Sequence, residues 1–351
     1  MWIKKILLFL FFDILLVQLK AQVGGEGTYD FLNLTTNPHL AALGGKMGSF
    51  DDPELGLATY NPALLNYQMH NKVAFSYVGY YAKIKYGSFL YSRDIDRFGT
   101  IGVGVTQVNY GSFTEADPTG AITGSFTASD LAFNLIYSKT IDSAFTFALD
   151  IKPIYSHLYT YQSYGLAVDF GFNYHKPKGL FSTGIVFRNV GTMIKPYTPD
   201  TWQKLPFEIV AGFSKKLAHA PFRFVGTFHQ LQNYSIYYFR PKDDNSTLGV
   251  SDSKNESGLK KFSNETLSHL IVGAEFVPFK SFSVRFGYNY QRRNELKVDE
   301  KLASVGFSWG FGIRISKFYL SYGQSKYHLV GPSKYFSITT DLDELFGWKK
   351  L

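Results

Sequence analysis

From Lys72 onward the side chains alternate between two characters with a period of two, and this restricts the possible folds more than any other feature of the chain. Leu166, Val168, Phe170, Phe172 and Tyr174 alternate with Gly165, Ala167, Asp169, Gly171 and Asn173. Val305, Phe307, Trp309, Phe311, Ile313 and Ile315 alternate with Gly306, Ser308, Gly310, Gly312, Arg314 and Ser316. The run Phe282, Val284, Phe286, Tyr288 and Tyr290 behaves in the same way. Successive residues of a strand point to opposite faces. One face of these strands is therefore apolar and aromatic, and the other is small, polar or charged. In a soluble sandwich the apolar face points inward; in a transmembrane barrel it faces lipid and the polar face lines the bore.

The connections separate these two folds. About fourteen strands can be placed, an even number as single-chain bacterial barrels require. They begin near Lys72, Ala82, Phe98, Phe126, Ala144, Ser163, Gly179, Pro206, Phe222, Ser268, Ser281, Leu302, Lys317 and Lys334. Most run roughly nine to thirteen residues, enough for a tilted strand to cross a bilayer. Even-numbered connections are all short, whereas most odd-numbered ones are long: Tyr110–Ser125, Gly191–Leu205, Gln232–Leu267, Arg293–Lys301 and Lys326–Ser333. Short turns at one end and long loops at the other are what a barrel with a periplasmic and an outer side predicts. A soluble adhesin sandwich has no reason to alternate so regularly.

Composition agrees. Aromatic residues make up 18% of the chain and charged residues another 18%, with 25 Tyr, 33 Phe and 32 Gly. Such a barrel needs aromatic girdles and outward apolar side chains. There is no cysteine, so disulfides, thiolate metal ligands, thiol nucleophiles and a lipidated cysteine are excluded. The net charge of +8 is scattered along the chain, which does not suggest nucleic-acid binding.

Residues 1–21 read as a secretion signal: Lys4 and Lys5, then the apolar Ile6–Val17, then a junction at Ala21 and Gln22. An uncleaved helix is disfavoured because the run is short and contains Asp13. Residues 22–71 follow no period, are rich in Gly, Asn, Asp and Pro, and still carry Phe31, Leu40, Leu43, Leu57 and Leu64. Such a segment must be covered, and the bore of the barrel is the expected cover. The fold class is thus all-β: a 14-stranded antiparallel transmembrane barrel over residues 72–341, with an N-terminal hatch in the lumen and a short periplasmic tail at 342–351.

Reaction machinery is not evident. Gly306, Ser308 and Gly310 fit the GxSxG pattern, but mid-strand rather than on the strand-turn-helix elbow a serine nucleophile needs. The histidines lack metal spacing, and satisfied polar histidines are expected at His157, His175, His219 and His229. Asp51, Asp52, Pro53 and Glu54 are expected to form a solvated turn rather than a calcium loop. Pro153, between Ile151 and Tyr155, should produce a bulge or a kink. No catalytic residue, metal or cofactor is expected.

At Tyr60, Asn61, Pro62, Ala63, Leu64 and Leu65, just before the first strand, the chain resembles the FadL-like outer-membrane barrels, which have fourteen strands and a lumenal hatch. Gly24–Leu32, Asn37, Pro38, His39 and Ala41–Gly45 narrow the resemblance to the PorV/PorQ branch of that family. The resemblance implies an outer-membrane component of a type nine secretion system. Its role there would be a non-catalytic scaffold that anchors a PorZ-like surface protein beside the sortase PorU and the shuttle barrel PorV, where cargo is joined to lipopolysaccharide. The alternative is a FadL-like transporter of hydrophobic small molecules. Asn61, Pro62 and Ala63 are the hatch motif on either view. Tyr234, Tyr237, Tyr238 and Arg240, at the base of the longest outer loop, are the candidate partner contacts, since aromatics and Arg favour interfaces.

Overall fold

The computed structural model describes residues 27–50, 52–176, 180–233, 235–236, 258–296, 305–328 and 331–347. The signal segment and the candidate contacts Tyr234, Tyr237, Tyr238 and Arg240 lie outside the described residues. Fourteen strands form one closed antiparallel barrel. They are β1 (Lys72–Gly79), β2 (Lys85–Ile95), β3 (Gly99–Ala116), β4 (Ile122–Ile141), β5 (Phe145–Leu158), β6 (Tyr161–His175) and β7 (Phe181–Lys195). The second half is β8 (Glu208–Lys216), β9 (Phe222–Phe228), β10 (Leu270–Phe279), β11 (Phe282–Asn289), β12 (Phe307–Ile315), β13 (Phe318–His328) and β14 (Gly331–Asp341). Each strand pairs with its neighbours in sequence, and β14 pairs with β1 from Lys72↔Asp341 to Gly79↔Lys334. That last ladder leaves no unpaired edge, the condition for a sheet to sit in hydrocarbon.

The polarity of the wall is inside out. Phe170, Phe286 and Trp309 are 42%, 58% and 42% exposed, while their neighbours Asp169 and Arg285 are buried toward the bore. Phe75, Phe89, Val103, Phe133, Phe224 and Phe336 extend the apolar outer surface around the cylinder. Among the described residues no helix is long and apolar enough to cross a membrane; the strands do the crossing. The chain is an integral, multi-pass β-barrel of the bacterial outer membrane.

Residues 27–71 fill the bore. At the outer end Gly27 bridges Lys204, in the connection after β7, and the Thr28 N–H donates to the Lys204 carbonyl at 3.0 Å. The segment then winds down through a short helix, α1 (Pro38–Ala42), and several single-turn 3-10 elements, and enters β1 at the periplasmic end. Three apolar clusters anchor it. Tyr29, Phe31 and Leu32 pack with Tyr86, Met193 and Tyr335. Leu43, Met47 and Leu57 pack with Val186, Val210 and Val225. Leu55, Leu65 and Met69 pack with Ala74, Leu90 and Ile136.

Several local expectations are corrected. Tyr110–Ser125 is not a loop: β3 continues to Ala116 and β4 starts at Ile122, so a hairpin rises past the rim. The Asp117 carboxylate closes its turn by accepting from the Thr119 and Ala121 N–H groups at 2.9 and 3.0 Å. Phe113 stacks on Phe126 with ring centroids 5.2 Å apart. Above the membrane neither face of a strand must be apolar, so the two-residue alternation that marks the spanning strands fades there. Tyr290 leaves the strand and opens a helix, α3 (Tyr290–Leu296). Before it in sequence, α2 (Gly258–Ser268) occupies part of what reads as a loop, and Tyr290 donates from its hydroxyl to Asn264 Oδ1 at 3.0 Å, tying the two helices together. The C-terminal stretch forms α4 (Leu342–Phe346), capped by the Asp341 carboxylate. Pro153 makes no bulge: the β4–β5 ladder has a gap between Ala132↔Ile154 and Leu135↔Ile151, with the same register on both sides. Proline has no N–H to donate, so the ladder opens without gaining a residue.

If Phe286 faces lipid, Phe286→Lys should cost about 2–4 kcal/mol when unfolding is followed by denaturant titration in vesicles. A soluble, water-facing position would tolerate the change with almost no loss.

Candidate functional site

The bore and its hatch form the candidate site. Two Asn-Pro pairs shape the hatch. Asn37 Oδ1 accepts from the His39 and Leu40 N–H groups at 2.8 and 3.2 Å, with Pro38 opening α1. Asn61 Oδ1 accepts from Ala63 N–H at 3.0 Å, with Pro62 opening the next turn. Asn caps free N–H groups, and proline at the first helical position has none to lose. Asn61 Nδ2 also donates to the Gly48 carbonyl at 2.6 Å, so this one side chain joins two passes of the hatch. Asn61, Pro62 and Ala63 are all buried.

The hatch approaches the wall so closely that several positions admit only glycine. A Cβ on Gly287 would lie 2.4 Å from both Gly44 N and the Leu43 carbonyl carbon. A Cβ on Gly323 would lie 2.4 Å from the Pro38 carbonyl oxygen. Ser308 is part of the same contact: its hydroxyl donates to the Ala42 carbonyl at 2.9 Å, where the GxSxG resemblance would have placed a nucleophile.

Charged groups lock the hatch at two heights. Near the periplasmic end Glu54 accepts from Asn37 Nδ2 at 2.9 Å and lies 2.5 Å from His39 Nδ1. Arg285 Nε and Arg223 Nη1 each donate to Glu275 at 2.9 Å, and Arg285 Nη2 lies 3.8 Å from Glu54 Oε2. Arg285 Nη1 also donates to Ser321 Oγ at 3.0 Å, and Nη2 to the Tyr319 hydroxyl at 2.5 Å. Burial by itself would raise the Glu54 carboxyl, but His39, Arg285 and Asn37 together hold it at about 2, below its ordinary 4.5. Higher up, Lys46 of the hatch pairs with Glu208, and Arg188 covers the Tyr60 ring at 3.8 Å while donating to the Leu32 carbonyl at 3.0 Å. Beside the Pro153 gap Lys152 pairs with Asp169 at 2.5 Å and donates to Asn189 Oδ1 at 2.6 Å.

The expected solvated turn at Asp51–Glu54 is therefore corrected: Glu54 is buried and paired, and Asp52 lies 3.5 Å from Arg223; Asp51 is outside the described residues. His229 departs from the satisfied histidine expected there: among the described residues neither ring nitrogen has a hydrogen-bond partner, and Glu208 Oε1 lies 3.9 Å from Nδ1. The network's strand members escaped the sequence reading, although a signal existed. Glu275 and Arg285 are charges on the small-residue face of two consecutive strands, and they pair directly across the ladder. Asn61, Pro62 and Ala63 are brought together as a structural staple. Among the described residues no group of His, Asp and Glu is arranged to hold a metal ion.

Two inner cavities differ sharply in size. A space of about 30 Å3, bounded by Phe31, Leu40, Tyr60, Asn134, Lys152 and Arg188, sits beside the Pro153 gap. A space of about 640 Å3 lies at the periplasmic mouth and is rich in charged side chains. Apolar grooves, such as one of about 430 Å3 bounded by Phe75, Phe311, Tyr322 and Phe336, lie on the lipid side of the wall.

No protein-family model matches the chain, and no curated protein matches it in sequence. Among solved structures it is similar to the toluene transporter TbuX of Ralstonia pickettii, at 10% identity and a TM-score of 0.51, over 89% of this chain and 99% of that one. It is also similar to the toluene transporter TodX of Pseudomonas putida, at 10% identity and a TM-score of 0.50, over 87% and 96%. At such identities the likeness shows a common fold, the closed transmembrane β-barrel, and nothing beyond it.

Two outcomes test the hatch. Because the folded-state value of Glu54 lies below its ordinary one, its stabilising contribution is present above about 4.5 and lost as the pH falls toward 2. Limited proteolysis with an acid-active protease should find the hatch protected at pH 5 and progressively cleaved below about 4.5, a change that Glu54→Gln should flatten; constant protection down to pH 2 would contradict the assignment. Gly287→Val should displace Leu43 and Gly44 at a cost of about 1–3 kcal/mol, read as faster cleavage of the hatch in a barrel that still migrates as folded.

Proposed function

We propose that this barrel is a sealed, non-catalytic scaffold of the outer membrane whose outer loops hold a cell-surface protein, as the resemblance to the PorV/PorQ branch of type nine secretion components implies. The observation that carries this reading is the filled bore. Residues 27–71 occupy it with apolar packing at three levels, backbone-to-backbone contact at Gly287 and Gly323, and ion pairs at two heights. Among the described residues the inner spaces include one of about 30 Å3 and a charged vestibule at the periplasmic mouth. Neither offers a greasy passage. Outside the membrane, among the described residues, the β3–β4 hairpin and helices α2 and α3 stand at the outer end. A PorZ-like partner, with PorU and PorV near it and lipopolysaccharide around it, is the proposed setting.

A second reading is favoured by one specific observation. TbuX and TodX, which share the fold, are toluene transporters. On that reading hydrophobic small molecules would cross beside Pro153, where the β4–β5 ladder is open next to the small cavity. The hatch would have to shift to let them through.

One pair of measurements separates the readings. Shortening Gln232–Leu267 should release a copurifying surface protein while the barrel stays folded and detergent-soluble. Proteoliposomes carrying the intact barrel should take up toluene no faster than empty ones. Retention of the partner after shortening contradicts the scaffold, and uptake that a disulfide between hatch and wall abolishes establishes the carrier.

A further inference from the structure

The vestibule of about 640 Å3 at the periplasmic mouth has an uneven charge. Its floor is the lower ion-pair network, where Arg223 and Arg285 are matched by Glu275, Glu54 and Asp52. Its rim carries five more cations, Lys72, Lys216, Lys280, Arg314 and Lys317, against two carboxylates, Asp341 and Glu344. Asp341 is partly committed, since it accepts from the Asp343 and Glu344 N–H groups as the cap of α4. Lys216, Lys280, Arg314 and Lys317 form no ion pair among the described residues.

These cations are aimed at the bore by the strand period. Arg314 is in phase with the buried Ser308, Gly310 and Gly312 of β12, and Lys216 with the buried Glu208, Val210 and Ser214 of β8. Lys72 is in phase with Ala74, Ser76 and Val78 of β1. Lys280 and Lys317 sit in the periplasmic turns after β10 and β12. In barrel order the cations therefore span the arc from β8 round to β1. A concave, low-dielectric wall with an excess of one sign concentrates the opposite charge. Cations spread round an arc do not converge on a single small anion, as a phosphate site would require. They match a chain of negative charges laid along the rim.

We infer that the periplasmic vestibule bounded by Lys216, Lys280, Arg314 and Lys317 is a docking site for an acidic, carboxylate-rich peptide segment of a periplasmic partner. The bore opens to water at this end rather than sideways to lipid, which favours a soluble peptide over a headgroup. A scaffold that faces a surface protein outside would thereby hold a second protein inside. The site does not depend on that reading, since the charge arrangement is the same for a carrier.

The test uses the full barrel in neutral detergent and a fluorescein-labelled hexaglutamate, followed by anisotropy. Saturable binding is expected, falling away as salt is raised to about 1 M, where the screening length drops to roughly 3 Å. Arg314→Gln with Lys317→Gln should weaken it by about ten-fold, as loss of steering and pairing charge predicts. Lys280→Gln, on an exposed turn, provides a second variant if the first pair misfolds. A lipid-facing control, Phe224→Leu, should change nothing. Binding that the rim variants leave unchanged, or equal binding of hexalysine, overturns the proposal. Displacement by inorganic phosphate at matched total charge would assign a simple anion site and overturn the peptide assignment. Binding that appears only in vesicles containing phosphatidylglycerol would assign a lipid headgroup and overturn it as well.

Discussion

Every backbone N–H and C=O placed in hydrocarbon must find its partner within the protein, because lipid offers none. This chain meets that demand by closing β14 onto β1, and the rest of the structure follows. Closure divides space into an outside that must be apolar and an inside that need not be. The two-residue alternation maps directly onto that division, with Phe286 outside and Arg285 inside at adjacent positions. A single residue of slip in any ladder would exchange the two faces. The register is therefore under strong constraint all around the cylinder.

The inside is then an aqueous-sized hole lined by small and charged groups, and the hatch fills it on unusual terms. Charges that would be costly in a dry core are matched between hatch and wall: Glu54 with Arg285, Lys46 with Glu208. Buried pairs of this kind often contribute little net stability over apolar packing, but removing one partner strands the other and costs about 3–5 kcal/mol. They fix where the hatch sits. The glycines at 287 and 323 act in the same sense by steric means, because only a wall without Cβ atoms lets the hatch backbone approach. Position is thus specified twice, once by charge and once by shape.

Much of this was legible in the sequence. Strand number, the even count and the short even-numbered turns follow from period and connection length, since lipid enforces the alternation wherever a strand crosses; the lumenal hatch follows from an aperiodic stretch that still carries apolar residues. Legibility failed where that enforcement stops. The β3–β4 hairpin above the membrane has no face that must be apolar, so Tyr110–Ser125 looked like a loop. Tyr290 continues the alternation by one residue although its backbone has already turned helical. Inside the bore, Glu275 and Arg285 were visible as charges on the small-residue face, but Glu54 and His39 come from a segment with no period. Their meeting is set by how the hatch winds, which no local pattern encodes. In the Asn-Pro-Ala element Asn61 caps one turn and holds another pass of the chain, a role its residue type suits but its local pattern does not specify.

The claim on which the functional reading turns is that the hatch seals the bore. Planar-bilayer conductance of the purified full-length barrel measures this directly, because an open fourteen-stranded bore would pass ions steadily under an applied voltage. The account predicts insertion without a steady ionic current, and the appearance of one when Gly287→Val is combined with Arg285→Ala to unseat the hatch. A stable ohmic conductance from the unaltered protein would contradict it.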